Sequence, residues 1–341
     1  MVEVDRVGIA RTTAALGGEG TTVVTLRTTS RYAAATLDAA LPPDVGDGPA
    51  NGGWFSGPSG AWLLLVEGLD AQVVPWLDTL AAGLTAASVE GTLTGAGSVG
   101  PPRWAQLVAR DARPLSASIG FRPAAPPGSA PARGWAAGPV AKEHAVEAGM
   151  RWLSQHEGDV MAMTARGANF WMPAPAAATL LTGDLDRGGA GVCGSFDRRR
   201  EDIRHVLVGA PGTMTLTSER AGHPWSETVA ELRSALLALP LDLVSTAYLS
   251  HRDLGTVLNA DLPGSAGYDR ETYAEHPELW DQFVLEPSGV QVLTDRHLAR
   301  AHDLSSWRTT RLDTGHVLVE AADLDPWFAT PRRSFEAVGA E

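Results

Sequence analysis

The chain has 341 residues, a formal net charge of -13, 44% apolar residues and 20% charged ones. Its only lysine is Lys142 and its only thiol is Cys193. A Schiff-base or phosphate-loop lysine anywhere else, a cysteine-rich zinc site and an intrachain disulfide are thereby excluded.

The apolar fraction is enough for a sizeable core, and the length suits two lobes. Arginine replaces lysine almost everywhere, the mark of a GC-rich bacterial genome, so the arginine excess does not signal phosphate recognition. An acidic chain lacks the basic face a nucleic-acid binder uses, and it is repelled by anionic membranes. No apolar run approaches the ~18 residues of a membrane span. Met1–Asp5 is acidic and lacks the apolar stretch of a secretory signal. A single cysteine fits a reducing compartment, and the cytoplasm is the expected location.

Thr21–Arg27 reads as a strand from its β-branched content. Ser30 can cap a helix with Tyr32, Ala33, Leu37 and Leu41 at helical spacing, stopped by Pro42-Pro43. Asp44–Gly60 is rich in Gly and Pro and reads as a loop. The apolar run Ala61–Glu67 suits a central strand. Pro75 suits the first turn of a helix burying Trp76, Leu80 and Leu84. Ser88–Thr94 and Leu115–Phe121 return as strands. Arg122–Val140 holds five prolines and cannot form a regular element, so it is a linker or long loop.

Ala141–Gln155 is helical, with Lys142 at a solvated position near its start. His205–Gly209 and Thr213–Ser218 read as strands. Pro224 opens a helix burying Trp225, Val229, Leu232, Leu236 and Leu239, and Pro240 ends it. Leu243–Leu249 is the next strand. Ala61–Thr94 and Thr213–Leu249 are thus both strand, helix, strand, which points to duplicated ferredoxin-like (split βαβ) units. The expected fold is α+β with two lobes, each a mixed or antiparallel sheet covered by helices, plus a small C-terminal strand/turn segment. The expected boundaries are 1–121, linker 122–140, 141–268, and an acidic segment 269–341.

That last segment carries 14 acidic and 7 basic residues. It also holds a repeat: Ala301–Trp307 and Ala321–Trp327 both read A-x-D-L-x-x-W, twenty residues apart. Asp303 and Asp323 would each accept backbone amides at a turn, and Trp307 and Trp327 would dock beside it. With Trp280 and Asp281 nearby, the segment is a candidate aromatic, acidic surface.

Gly95–Gly100 matches G-x-G-x-x-G, but Pro101-Pro102 follows at once, so no helix can start where a dinucleotide needs one. Asp184–Gly189 resembles the start of a calcium loop. Gly188 and Ser195 stand where oxygen ligands are required, so a turn is expected. Cys193 lies among glycines, in a flexible setting. Arg198-Arg199-Arg200 precedes Glu201-Asp202, a two-signed cluster whose guanidinium forks suit a carboxylate partner. There is no H-E-x-x-H, G-x-S-x-G or Walker loop.

These patterns favour a non-catalytic protein that binds another protein with a cationic surface, such as an immunity-type inhibitor or adaptor in a bacterial conflict or secretion system. The expected contacts are Trp280, Asp281, Asp303, Trp307, Asp323, Trp327 and Arg198–Arg200, with no cofactor and no metal. The competing reading is a hydrolase-like enzyme using His251 and Asp253, with His223 and Glu227 one helical turn apart. A third is a homo-oligomeric structural protein.

Overall fold

The computed structural model describes residues 1–16, 19–43, 49–56, 61–95, 98–99, 114–124, 135–156, 160–163, 168–186, 190–196, 202–209, 211–220, 223–251, 280–282, 288–301 and 304–329. The chain divides into two compact units: 1–106 with 157–184 and 191–195, and 107–156 with 185–190 and 196–341. The fold class is α+β, as the sequence indicates. Among the described residues, no helix is long and apolar enough to cross a membrane.

The first unit holds β1 (Val2–Val4), α1 (Arg6–Leu16), β2 (Glu19–Thr28), α2 (Ala34–Asp38), β3 (Ala50–Ser56), β4 (Trp62–Leu69), α3 (Asp70–Ala86) and β5 (Gly91–Gly95). Their strand order is β1-β5-β2-β4-β3, with β1 parallel to β5 and the other pairs antiparallel. β4 and β5 therefore run the same way with β2 between them, bridged by α3: a split βαβ unit. α3 buries Val73, Trp76, Leu77, Leu80, Ala81 and Leu84, a single helical stripe. It starts before Pro75, which lies inside it rather than in its first turn. The expected loop 44–60 contains strand β3, whose Trp54 is in the core.

Four more short strands belong mainly to this unit: β6 (Ser98–Val99), β8 (Val160–Met163), β9 (Ala168–Met172) and β10 (Ala190–Phe196). They pair antiparallel in the order β10-β8-β9-β6. Cys193 sits buried inside β10, so its glycine-rich surroundings form a strand and not a flexible loop. Asp184–Asp186 closes helix α5 (Ala174–Asp186) instead of forming a separate turn.

The second unit contains β7 (Leu115–Phe121), α4 (Gly138–Leu153), β11 (Asp202–Gly209), β12 (Thr213–Arg220), α6 (Trp225–Leu237) and β13 (Val244–His251). β14 (Val290–Leu293), α7 (Asp295–Leu298), β15 (Trp307–Arg311), β16 (Val317–Ala321) and α8 (Asp325–Phe328) follow. The strands run β15-β16-β14-β13-β7-β12-β11, all antiparallel. β12 and β13 flank β7 and are bridged by α6, so the split βαβ plan recurs. Sequence alone places β7 in the first lobe. Here it is paired on both sides by strands of the second unit.

Alternation separates two faces of this sheet. Val206, Leu216, Ala117 and Leu249 share one register row and face the helices. Gly149 of α4 lies so close to Val206 that a Cβ there would sit 2.8 Å from Cγ1. His205, Thr217, Ser116 and Ser250 form a row on the other face, with Glu219, Thr215 and Ser118 beside it. That face is polar yet almost entirely buried.

Trp280 packs on the polar face. It is 2% exposed, and a Cβ on Gly120 would lie 2.7 Å from its Cε3 and 3.2 Å from Thr246 Cγ2. The glycine is there because the indole occupies the space a side chain would need. Gly120→Ala is therefore expected to cost about 1–3 kcal/mol by overpacking, seen as a lower urea midpoint with an unchanged slope.

Lys142 is not solvated. Its ammonium is ion-paired with Asp186 and its side chain is 15% exposed. The segment after β7 is held by backbone bonds at both ends: Arg122 N–H donates to Leu243 O, and Ala136 N–H to Pro211 O.

Candidate functional site

Two arrangements in the second unit concentrate chemistry. The first is a charged clamp on the helix-facing side. Asp202 opens β11 and faces Arg220 at the end of β12. Arg204 follows Asp202 by two residues, so alternation puts it on the same face. α6 supplies Glu231. α4 supplies Trp152, and His156 lies just beyond its C-terminus. Asp202 Oδ2 is 3.1 Å from Arg220 Nε, 3.3 Å from His156 Nε2 and 3.5 Å from Arg204 Nη2. Glu231 shares Arg204 Nη2 with Asp202, at 2.9 Å, and takes Nη1 of Arg220 at 2.7 Å. The Arg204 guanidinium lies over the Trp152 ring, 4.4 Å from its centroid. The indole N–H donates to Thr217 O at 3.1 Å.

Burial pushes the Asp202 carboxyl up. The hydrogen bond from His156 and the charges of Arg204, His156 and Arg220 outweigh it and hold the group below its ordinary value. A carboxylate held down by two guanidiniums and a histidine hydrogen bond is a poor proton acceptor. The His156–Asp202 contact thus serves to tie the end of α4 to the β11–β12 hairpin, as Glu231 ties α6 to it, rather than to activate a nucleophile. Nothing in the isolated spacing of these residues singles them out. The one signal is the pattern Asp202-Ile203-Arg204 opening a strand, where period-two alternation sets both charges on one face.

The second arrangement is the open edge of the sheet at β15. Among the described strands β15 pairs with β16 alone. Trp307 is half-buried, and Arg308, Thr309, Thr310 and Arg311 are exposed. Leu312 N–H donates to His316 O at 2.8 Å where the hairpin closes. Counting back in twos, Thr310/Leu318 and Arg308/Glu320 are the hydrogen-bonded pairs. Thr309 and Arg311 therefore turn their N–H and C=O groups outward.

Edge strands are commonly guarded by charged side chains. Here both guards are tied back. Arg311 makes a two-pronged bond with Asp295, at 2.7 and 3.0 Å, and Arg308 donates to Ala321 O at 3.3 Å. The hydrogen bond from Arg311, with its charge, holds the Asp295 carboxyl below its ordinary value, and the same bond raises Arg311.

The two tryptophans of the A-x-D-L-x-x-W repeat meet at this edge. The Trp307 and Trp327 rings lie 5.8 Å apart, tilted by 55°, and both are half-exposed. Gly289 leaves room for Trp327, because a Cβ there would lie 2.7 Å from its Cγ. Trp307 also packs against Leu293, Val317 and Val319. Asp323 plays the expected turn role, accepting from Asp325 N–H at 3.0 Å.

The other sequence candidates are dispersed. Trp280 belongs to the core, so its bulk is not available as partner surface. Asp281 is ion-paired with Arg296 at 2.7 Å. His223 and Glu227 approach to 3.5 Å on the exposed start of α6. His251 Nε2 lies 2.9 Å from Phe328 O and its ring packs near that phenyl group, 6.1 Å between centroids. Asp253, Asp303 and Arg198–Arg200 lie outside the described residues. Among the described residues no cluster of His, Cys, Asp and Glu could hold a metal ion. Comparison with protein-family models, curated proteins and solved structures returns no match.

Proposed function

We propose that this chain is a non-catalytic binding protein that takes an extended segment of another protein on the β15 edge. The carrying observation is an exposed edge strand whose guard arginines are folded back and whose Thr309 and Arg311 amides point outward. Main-chain pairing supplies affinity in such strand addition, and alternate side chains supply specificity. Asp313, Asp323 and Asp325 are exposed around the edge, so a basic segment is favoured over an acidic one. An inhibitor or adaptor would work in this stoichiometric way.

Proline at Thr309 tests the reading with little damage to the fold. It removes an outward N–H and leaves the β15–β16 ladder bonds in place. Peptides selected from a random twelve-residue display library against the full chain are expected to bind the parent and to lose at least tenfold in affinity for Thr309→Pro. Equal binding to both would rule out pairing along β15. A concentration-dependent dimer that Thr309→Pro abolishes, with no peptide selected, would instead make the occupant a second copy of this chain.

A further inference from the structure

We infer that the Trp307–Trp327 indole pair, with Asp323 and Asp325, is a pocket that reads one lysine or arginine side chain of the bound segment. This deepens the strand-addition reading and rests on it for the direction from which the segment arrives. The residue of an incoming strand opposite Trp307 would bring its Cβ to within about 4.5–5.5 Å of the Trp307 Cβ, on the same face of the sheet. That face carries both indoles. Trp307 projects from it beside Val319 and Val317, and Trp327 lies on it over Gly289.

The two rings touch at a tilt, so no slot is left between them for a flat apolar group. What they present outward is ring surface, and the face of an indole attracts cations. The charge around it has the matching sign. Asp323 and Asp325 lie within four residues of Trp327, and both are exposed. Among the described residues the Asp325 carboxylate has no ion-pair partner, and Asp323 spends one oxygen on the Asp325 amide. The nearest cation along the strand, Arg308, projects from the opposite face and bonds to Ala321 O. An arriving cation therefore meets aromatic faces and carboxylates, while a neutral or acidic side chain gains neither.

The probe is the selected twelve-residue peptide, titrated calorimetrically into the full chain. Selected peptides are expected to share one Lys or Arg at a fixed place among β-branched residues. Exchanging that residue for norleucine should weaken binding roughly tenfold. Trp327→Leu and Asp325→Asn should each shrink that difference. Asp325→Asn leaves the packing intact, so its result stands even if Trp327→Leu lowers the fold's stability.

Peptides that lose affinity for Thr309→Pro but bind equally with lysine or norleucine would overturn the cation pocket and leave strand addition standing. A lysine preference that depends on Asp325 but ignores Thr309→Pro would support the pocket and overturn strand addition. Selection of no peptide would overturn the pocket and, with it, the reading that β15 takes a segment of another protein.

Discussion

Asp202→Ala is expected to lower the unfolding free energy of the second unit by about 3–5 kcal/mol, the range for removing one partner of a buried ion pair. Asp202 Oδ2 lies within 3.5 Å of Arg204, Arg220 and His156. Without it, two guanidiniums face Glu231 alone. Arg204 suffers most, because it is 3% exposed and cannot turn to water. The stacked Trp152 ring keeps it in place but supplies no compensating anion. Arg6→Ala is the matched control. Arg6 bonds to Asp78 at 2.8 Å in the first unit, but the two side chains are 60% and 42% exposed. An exposed pair of that kind is worth about 0–1 kcal/mol. Urea unfolding followed by circular dichroism compares the two variants, and a loss below ~1 kcal/mol for Asp202→Ala would remove the clamp from the account.

The same carboxylate sets an acid limit. Its pKa is lowered in the folded chain, so its stabilising contribution is present above the unfolded value near 3.8 and is lost as pH falls through the lower folded value. In Asp202→Ala that part of the acid limb should disappear.

The clamp was hard to see in the sequence because its members are scattered from Trp152 to Glu231 and meet only through register. Asp202 finds Arg220 because β11 and β12 pair across eight residues, and Glu231 arrives on a helix that covers them. What was legible depended on local period and punctuation. Leu115–Phe121 is a strand over the expected stretch, and Pro224 stands at the N-cap of α6. The two strand–helix–strand stretches carry the split plan because each is set by its own alternation and its own helical stripe. Composition misled where packing decides. The Gly-rich stretch 44–60 contains a strand because Trp54 has a core to enter, and the glycines around Cys193 belong to a buried strand. The repeat was legible as a repeat. That its two tryptophans touch depends on β15 and β16 pairing Trp307 with Ala321. The burial of Trp280 depends on Gly120, 160 residues away in sequence, and no local pattern encodes it.

His205 should make the protein acid-sensitive well above the carboxylate range. It lies on the face of the sheet opposite α4 and α6, 1% exposed, and burial lowers its pKa from 6.5 to about 3. The folded chain thus holds the imidazole neutral, while the unfolded chain takes up a proton below about pH 6.5. With more protons bound in the unfolded state, stability falls as pH falls across this window, by up to about 1.4 kcal/mol per pH unit. The full loss, reached near pH 3, is on the order of 5 kcal/mol. His205→Gln keeps a polar side chain on the face and removes the titration. Its urea midpoint should change less than the parent's between pH 6.5 and 4.5, a range that lies above the Asp202 limb. Parallel midpoints for parent and variant across that range would mean that the imidazole can take its proton without leaving the fold. The polar face, which carries Glu219 beside Ser116, Thr217 and Ser250, would then be what accommodates the charge.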